Sequence, residues 1–208
     1  MIALLFALRE EAAALSQHPG AVVVVTGVGK VNAAMATQAA IDNHRPRAII
    51  VMGLAGATHD GEAGQVIVVT GAVQYDFDAR PLTTARGEIP GVGALQADEG
   101  LMHALLAAIP EARAGLVLTG DQIITAREVR DRILDEFPEG ACFDMETAAV
   151  AQVAHQNGVP WAALRITSDA ADETFNLEEV LGARVKAASE VFERTSGRLL
   201  DRLPDPPE

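Results

Sequence analysis

The sequence contains little cysteine and little positive charge. Cys142 is its single cysteine, so the chain can form no intrachain disulfide, and we expect a core thiol in a reducing compartment, the cytoplasm. The 16 Lys and Arg residues are outnumbered by 29 Asp and Glu residues, which gives a net charge of −13. Such a charge repels nucleic acids and anionic membrane surfaces. We therefore predict no nucleic-acid partner and no membrane partner, whereas an uncharged small molecule is compatible with this charge.

The sequence also lacks a long apolar run and several familiar catalytic motifs. The apolar stretch from Met1 to Leu8 is too short to span a membrane, and Arg9 ends it without a small-residue cleavage site. The five histidines are scattered, with no H-x-x-x-H or H-E-x-x-H spacing, and no G-x-S-x-G elbow is present. We therefore expect no metal, no cofactor and no covalent nucleophile. What remains is chemistry carried by carboxylates.

Length and patterning predict one α/β domain. A chain of 208 residues with 49% hydrophobic residues can bury a sizeable core. Strand-like runs alternate with helix-like segments, which indicates a single-domain three-layer αβα sandwich with a mixed, largely parallel central sheet. We assign residues 1–203 to this domain and expect residues 204–208, with three prolines, to be a frayed tail.

The individual elements follow from hydrophobic periodicity and from turn residues. We predict strands at Ile2–Leu8, Ala21–Thr26, Arg47–Met52, Gly64–Val73, Gly115–Leu118, Ala141–Phe143 and Trp161–Ile166. We predict helices at Glu10–Ser16, after the turn Gly27–Gly29, at Asp98–Ala108, at Arg127–Phe137, between Glu146 and the stop at Asn157–Gly158, and at Leu177–Leu203. Gly53–Ala57 should be a turn of small residues at a strand end, and Gln74–Gly93 a long irregular segment.

Acidic residues frame the stretch from Ala141 to Asp172. Asp144 and Glu146 stand where a short strand gives way to a helix, and Asp169 and Asp172 stand just past the carboxyl end of the next strand. Ligands of open α/β sheets bind outside such strand ends, so both clusters lie where chemistry is expected. A structural interpretation is also open, since Asp144 suits a helix cap and Ser168–Asp169 suits a turn.

Two motifs in this stretch resemble those of a known family. The sequence M-E-T-A-A from Met145 and the sequence R-I-T-S-D-A-A-D from Arg165 resemble the nucleoside phosphorylase and nucleosidase superfamily. Within it, the likeness is greatest to bacterial 5′-methylthioadenosine/S-adenosylhomocysteine nucleosidases, and it extends from Ile2 to about Leu200. The resemblance implies a phosphorylase/hydrolase-like fold and a homodimer. It also implies hydrolysis of 5′-thio-substituted adenine nucleosides to adenine and the thioribose.

Further segments carry the same resemblance and also depart from it. Arg9-Glu10-Glu11 is similar to the family's early Glu triplet. The sequence G-V-G-K-V-N-A-A, which begins at Gly27, is similar to the family's turn between a strand and a helix. The sequence T-G-D-Q-I-I, which begins at Thr119, is similar to the family motif that covers the purine. Leu54 stands where the family commonly carries Ser, and Ile123 replaces an aromatic residue. Leu54 lacks the hydroxyl that would bond to the water, and Ile123 keeps apolar contact with the base but loses part of the aromatic stacking.

The resemblance also implies roles for individual residues. Asp169 would be the general acid that protonates N7 of the purine, and Ser168 would orient it. Glu146 would accept hydrogen bonds from the ribose hydroxyls, assisted by the main chain of Met145. Glu11 would activate water on the face opposite the base. Further expected site residues are Arg165, which would help to fix Glu11, Gly56 beside the ribose and the water, and Ile123 and Ile124 over the base.

Other functions stay open at this point. A purine nucleoside phosphorylase is disfavoured because the Gly-Asp-Pro-x-Arg phosphate motif is missing and Glu11 would repel phosphate. Futalosine or aminodeoxyfutalosine nucleosidases tend to carry Ser-Asn where this chain has Ser168-Asp169, so Asp169 favours adenine as the base. A non-catalytic binding protein would need neither an acid nor a water activator.

Overall fold

A mixed β-sheet forms the centre of the computed structural model, which describes residues 1–60 and 63–202. Its strands are β1 Ile2–Phe6, β2 Ala21–Val25, β3 Ala48–Ala57, β4 Val66–Gln74, β5 Leu95–Gln96, β6 Arg113–Thr119, β7 Gly140–Asp144 and β8 Trp161–Asp169. The helices are α1 Lys30–His44, α2 Glu99–Ala108, α3 Arg127–Glu136, α4 Thr147–Gln156, α5 Leu177–Glu179 and α6 Val185–Leu200, with a π-helical turn Val180–Arg184 between the last two. The predicted tail at 204–208, and residue 203, lie outside the described residues.

The sheet is largely parallel, as the sequence predicts. The strand order is β2-β1-β3-β7-β6-β4-β5, and β8 pairs with both β3 and β4. The pairs β1–β2, β1–β3, β3–β8, β4–β6 and β6–β7 are parallel, whereas β3–β7, β4–β8 and β4–β5 are antiparallel. In this register Gly56 lies opposite Asp169 on one side and opposite Phe143 on the other. The ends of β3, β7 and β8 therefore meet at one edge of the sheet.

Helices cover both faces of the sheet, which confirms the three-layer sandwich. Alanines of α1 and α4 pack on one face, where small side chains let the helices lie close to the strands. On the other face α2 and α6 pack through larger apolar side chains, and Phe192 of α6 packs against Phe6 of β1 in a tilted arrangement with ring centroids 5.8 Å apart. Cys142 is fully buried within β7, as expected. Among the described residues, no helix is both long and apolar enough to cross a membrane.

Two local predictions are wrong. Glu10–Ser16 is not a helix, since residues 10–14 form turns and residues 15–16 have no regular structure. Ala14 N donates to Ser189 Oγ (2.8 Å) and Ser16 N to Glu193 Oε2 (2.9 Å) instead of to carbonyls of their own segment. Gly53–Ala57 is not a turn, since β3 continues to Ala57 through its pairing with β8 and β7.

Other boundaries differ by a few residues. β8 runs to Asp169, so this residue ends the strand rather than following it. The predicted helix Leu177–Leu203 contains the π-helical turn and ends at Leu200 within the described residues. The irregular segment after Gln74 is confirmed, since no helix or strand occurs between Gln74 and Leu95.

Candidate active site

A cavity of about 290 Å³ lies beyond the ends of β1, β3, β7 and β8. This is the edge of the sheet where ligands bind in related architectures. Of the residues predicted from the sequence to form a site, these line the cavity: Glu11, Gly56, Ile123, Ile124, Met145, Glu146, Ser168 and Asp169. Arg165 lies behind the lining and is only 1% exposed.

Glu11 is held by the main chain of β3 and by that of the bend that follows β1. It is 3% exposed, and its carboxylate accepts hydrogen bonds from Leu54 N on Oε1 (2.8 Å) and from Leu8 N on Oε2 (2.9 Å). Burial raises the pKa of Glu11, while these N–H groups and the charge of Arg165 oppose the rise. A carboxylate so placed is fixed in orientation and can take a proton from a neighbouring molecule.

Glu146 lies at the start of α4 and is 5% exposed. Its Oε1 accepts a hydrogen bond of 2.9 Å from Gly29 N, and Gly29 has φ of 93°, a backbone conformation that favours glycine. Burial raises the pKa of Glu146 to about 7, with Arg165 opposing the rise and Asp144 adding to it. The group therefore changes its charge close to neutral pH.

Asp169 ends β8 with both carboxylate oxygens engaged. Oδ2 accepts from Ser168 Oγ at 2.7 Å and Oδ1 from Ala171 N at 2.9 Å. Burial raises the pKa of Asp169, and the Ser168 hydroxyl opposes the rise. A Cβ atom on Gly56 would lie 3.5 Å from Asp169 Oδ1 and 3.2 Å from the Ala171 methyl, so the glycine keeps space open beside the carboxyl group.

Arg165 is the buried cation beneath this cavity. Its Nη2 lies 2.5 Å from Asp144 Oδ2 and 3.8 Å from Glu146 Oε2, and it donates to Thr147 Oγ1 at 2.7 Å. A Cβ atom on Gly53 would lie 2.3 Å from Arg165 Nη1 and 2.9 Å from Glu11 Oε1. The guanidinium thus approaches Glu11 across Gly53, but its ion pairs are with Asp144 and Glu146.

Sequence reasoning missed the network around Asp144. This carboxylate accepts hydrogen bonds from Thr119 Oγ1 at 2.5 Å, from Thr147 N at 3.0 Å and from Thr147 Oγ1. The bond from Thr147 N is the capping interaction considered from the sequence, and the ion pair with Arg165 is additional to it. The threonine inside M-E-T-A-A is the one local signal that could have indicated it.

Sequence reasoning also missed most of the apolar wall of the cavity. The missed part is formed by Ala7, Leu8, Val28, Phe143, Phe175, Leu177, Val180 and Leu181. They belong to segments that are distant from one another in sequence, so no single local pattern joins them all. The wall suits an apolar ligand, and the three carboxyl groups on one apolar cavity can donate and accept protons. In residues 1–60 and 63–202, no group of three or more His, Cys, Asp or Glu side chains is arranged to hold a metal ion.

The chain is similar to proteins of one superfamily over nearly its whole length. A family model described as the phosphorylase superfamily matches residues 6–201. Over 180 residues the chain is 34% identical to the 5′-methylthioadenosine/S-adenosylhomocysteine nucleosidase of Geobacillus thermodenitrificans, covering 82% of this chain and 76% of that protein.

Solved structures agree with this likeness. The crystal structure of 5′-methylthioadenosine/S-adenosylhomocysteine nucleosidase from Neisseria meningitidis, in complex with methylthio-immucillin-A, matches with a TM-score of 0.87 at 26% identity, over 97% of this chain and 99% of that chain. A futalosine hydrolase mutant of Helicobacter pylori matches with a TM-score of 0.86 at 23% identity, over 97% of this chain and 99% of that chain. At that identity the second likeness concerns the fold alone.

Proposed function

Because the chain belongs to the phosphorylase superfamily and, within it, to the 5′-methylthioadenosine/S-adenosylhomocysteine nucleosidases, we propose that it hydrolyses the N-glycosidic bond of 5′-thio-substituted adenine nucleosides. The products are adenine and the thioribose. The observation that carries this proposal is the convergence of Glu11, Glu146 and Asp169 on one apolar cavity. The reaction requires an acid that protonates the leaving purine, a hydrogen-bond acceptor for the ribose hydroxyls and a general base that takes a proton from water. The cavity has a carboxyl group for each of these roles.

Asp169 acts on the leaving group. A purine departs more easily once N7 is protonated, and a carboxyl group whose pKa is raised by burial can carry that proton. Ser168 orients Asp169 through its hydrogen bond of 2.7 Å. Ile124, which is 4% exposed, and the half-exposed Ile123 provide apolar contact with the base.

Glu146 holds the ribose. An ionised carboxylate accepts hydrogen bonds from both ribose hydroxyls, and these hydrogen bonds strengthen as the sugar becomes cationic in the transition state. The main chain of Met145, which also lines the cavity, assists it, and Gly56 leaves room for the sugar.

Glu11 activates the water. As the water oxygen attacks C1′, its proton passes to Glu11, and the electrons of the glycosidic bond pass to adenine, which takes its proton from Asp169. Glu11 must therefore be ionised before the step, and the charge of Arg165 across Gly53 favours that state.

The experiment that tests this function is incubation of the purified protein with methylthioadenosine, S-adenosylhomocysteine, adenosine, futalosine and aminodeoxyfutalosine, with chromatography of the free base. We expect adenine from the two thio-substituted nucleosides at the highest kcat/KM. Release of base from the futalosine compounds alone would assign the chain to the alternative nucleosidase. No release from any of them would favour a binding protein.

A homodimer and a cytoplasmic location complete the proposal. Large apolar side chains around the cavity mouth are exposed, Ile123 by 52% and Leu177 by 54%, and Val31 and Met35 of α1 are exposed by 70% and 69%. A second copy covering these side chains would remove them from water. Sedimentation that gives a fully active monomer at micromolar concentration would contradict the dimer. The cytoplasmic location stays a prediction from the single cysteine.

A further inference from the structure

Helix α3 binds the turn that follows Asp169. Arg130 of α3 is 4% exposed, and its Nη1 donates to the main-chain oxygen of Ala170 at 3.0 Å. One helical turn earlier, Arg127 Nη2 lies 3.3 Å from Asp172 Oδ2. The main chain immediately after Asp169 is therefore held from outside the cavity by a buried guanidinium.

The charge of Arg130 is compensated by two carboxylates that do not line the cavity. Its Nη1 also donates to Asp60 Oδ1 at 2.7 Å, and its Nε donates to Asp131 Oδ1 at 3.0 Å. Because the planar guanidinium presents several donors in a fixed arrangement, these two carboxylates set its orientation. The donor aimed at Ala170 is therefore fixed in place as well.

Ala171 shows that this turn is held in an unfavourable conformation. It has φ of 50°, although it is not glycine, and it is fully buried. Such a backbone conformation persists only where the surroundings determine it. Ala171 N is the donor to Asp169 Oδ1, at 2.9 Å, so the conformation of the turn and the orientation of the carboxyl group are coupled.

We propose that Arg130 is a positioning residue for Asp169. By holding the Ala170 carbonyl, it fixes the turn whose Ala171 N–H orients the carboxyl group toward the base. The inference rests on the proposed function, in which Asp169 delivers a proton to the leaving purine. Arg130 touches neither substrate nor reacting atoms, since it does not line the cavity.

The chemistry of the leaving group separates positioning from general structural support. Adenine needs a proton to depart, whereas p-nitrophenolate departs as a stable anion without one. Loss of a residue that acts through Asp169 should slow the release of adenine and leave the release of p-nitrophenolate unchanged. A residue that supports the cavity as a whole matters equally for both.

The test compares methylthioadenosine with the p-nitrophenyl riboside that carries the same 5′-methylthio group. For Arg130→Met we expect kcat with methylthioadenosine to fall by about 10- to 100-fold, KM to change little, and cleavage of the p-nitrophenyl riboside to be nearly unchanged. Arg130→Lys should recover part of the loss, because an ammonium group can still donate to the Ala170 oxygen.

The matched control is Arg132→Met on the same helix. The Arg132 side chain is 71% exposed and pairs with Glu128, so its loss should leave both rates unchanged. Thermal unfolding of each variant checks folding, and if Arg130→Met does not fold, Arg130→Lys supplies the same comparison between leaving groups.

Two outcomes would overturn the inference. One is an equal loss on both substrates, and the other is an undiminished rate on methylthioadenosine. Failure of the proposed function appears separately, as a wild-type protein that releases no adenine from methylthioadenosine.

Discussion

Arg165 Nη2 lies 2.5 Å from Asp144 Oδ2, and the two side chains are 1% and 0% exposed. This ion pair lies beneath the cavity, and the charge of Arg165 lowers the pKa values of both Glu11 and Glu146 against the effect of burial. Removing one partner of a buried pair leaves the other charge without compensation. The stability of the fold and the charge state of the cavity therefore depend on the same contact.

Arg165→Met should affect both properties. We expect the free energy of unfolding to fall by about 3–5 kcal/mol, since Asp144 loses its cation in a dry environment. Without the positive charge, the pKa values of Glu11 and Glu146 rise further, so the acid limb of kcat/KM moves to higher pH. Urea unfolding and a pH profile measure the two effects. Arg165→Lys keeps the charge and should show a smaller shift of the acid limb, and an unshifted limb in the Met variant would refute the electrostatic role.

Asp169→Asn should separate binding from cleavage. The amide keeps the shape of the carboxyl group but cannot deliver a proton, so kcat should fall by about 10²- to 10⁴-fold. Calorimetric titration with an uncleavable nucleoside analogue should give nearly unchanged affinity. Asp42→Asn, an exposed change on α1, is the control for loss of one negative charge. Turnover like that of the wild type would remove Asp169 from the mechanism.

Affinity for ribonucleosides should depend on pH through Glu146. Burial raises its pKa to about 7, so its carboxylate is progressively protonated as pH falls below that value. A protonated carboxyl group is a poorer acceptor of hydrogen bonds from the ribose hydroxyls, so the dissociation constant of the ribonucleoside should rise as pH falls from 7 to 5. Glu146→Gln should bind weakly with no such dependence, and a 2′-deoxynucleoside should also show less of it. Identical pH dependence in the Gln variant would point to another group.

Glu146→Gln should also stabilise the fold at alkaline pH. The pKa of Glu146 is raised from 4.5 to about 7, so the folded protein holds this proton more tightly than the unfolded chain does. The stability that this bound proton contributes is therefore lost as pH rises from 4.5 to 7, and it remains lost above pH 7. Glu146→Gln removes the buried charge and should raise the free energy of unfolding by about 1–3 kcal/mol at pH 8. Thermal unfolding at pH 8 and pH 5 measures the difference, which should be several-fold smaller at the lower pH.

The carboxyl groups of the site could be predicted because each stands near a strand terminus. Glu11 follows β1, Glu146 follows β7 and Asp169 ends β8, and short apolar runs in the sequence mark all three strands. The parallel pairs β1–β3 and β3–β8 and the antiparallel pair β3–β7 then bring these ends together. Local patterns indicated this end of the sheet, and the family resemblance supplied the roles of the individual residues.

Features that depend on distant contacts could not be predicted. The alanines of Glu10–Ser16 favour a helix locally, and hydrogen bonds to Ser189 and Glu193, more than 170 residues away, override them. Helix α3 contains three arginines, and nothing in R-E-V-R-D-R shows that Arg130 is the buried one. The left-handed conformation of Ala171 likewise follows from its surroundings and not from its residue type.

The last prediction distinguishes a hydrolase from a phosphorylase through Glu11. A phosphorylase must bind a phosphate dianion beside the anomeric carbon, which requires positive charge or a helix N-terminus directed at it. Glu11 instead presents a fixed carboxylate, because Leu8 N and Leu54 N hold both of its oxygens. A carboxylate within a few ångströms of a dianion repels it by about 1 kcal/mol or more.

The nearby cations do not reverse this argument. Arg9 is exposed, and Arg165 is paired with Asp144 and Glu146 beneath the cavity. Water carries no charge and gains from a carboxylate that accepts its proton. Adenine release should therefore proceed in phosphate-free buffer, added phosphate should not raise the rate, and the sugar product should be free thioribose by mass spectrometry. Glu11→Gln should be inactive with or without phosphate. A phosphorylated sugar product, formed only when phosphate is present, would show that Glu11 does not face the anomeric carbon.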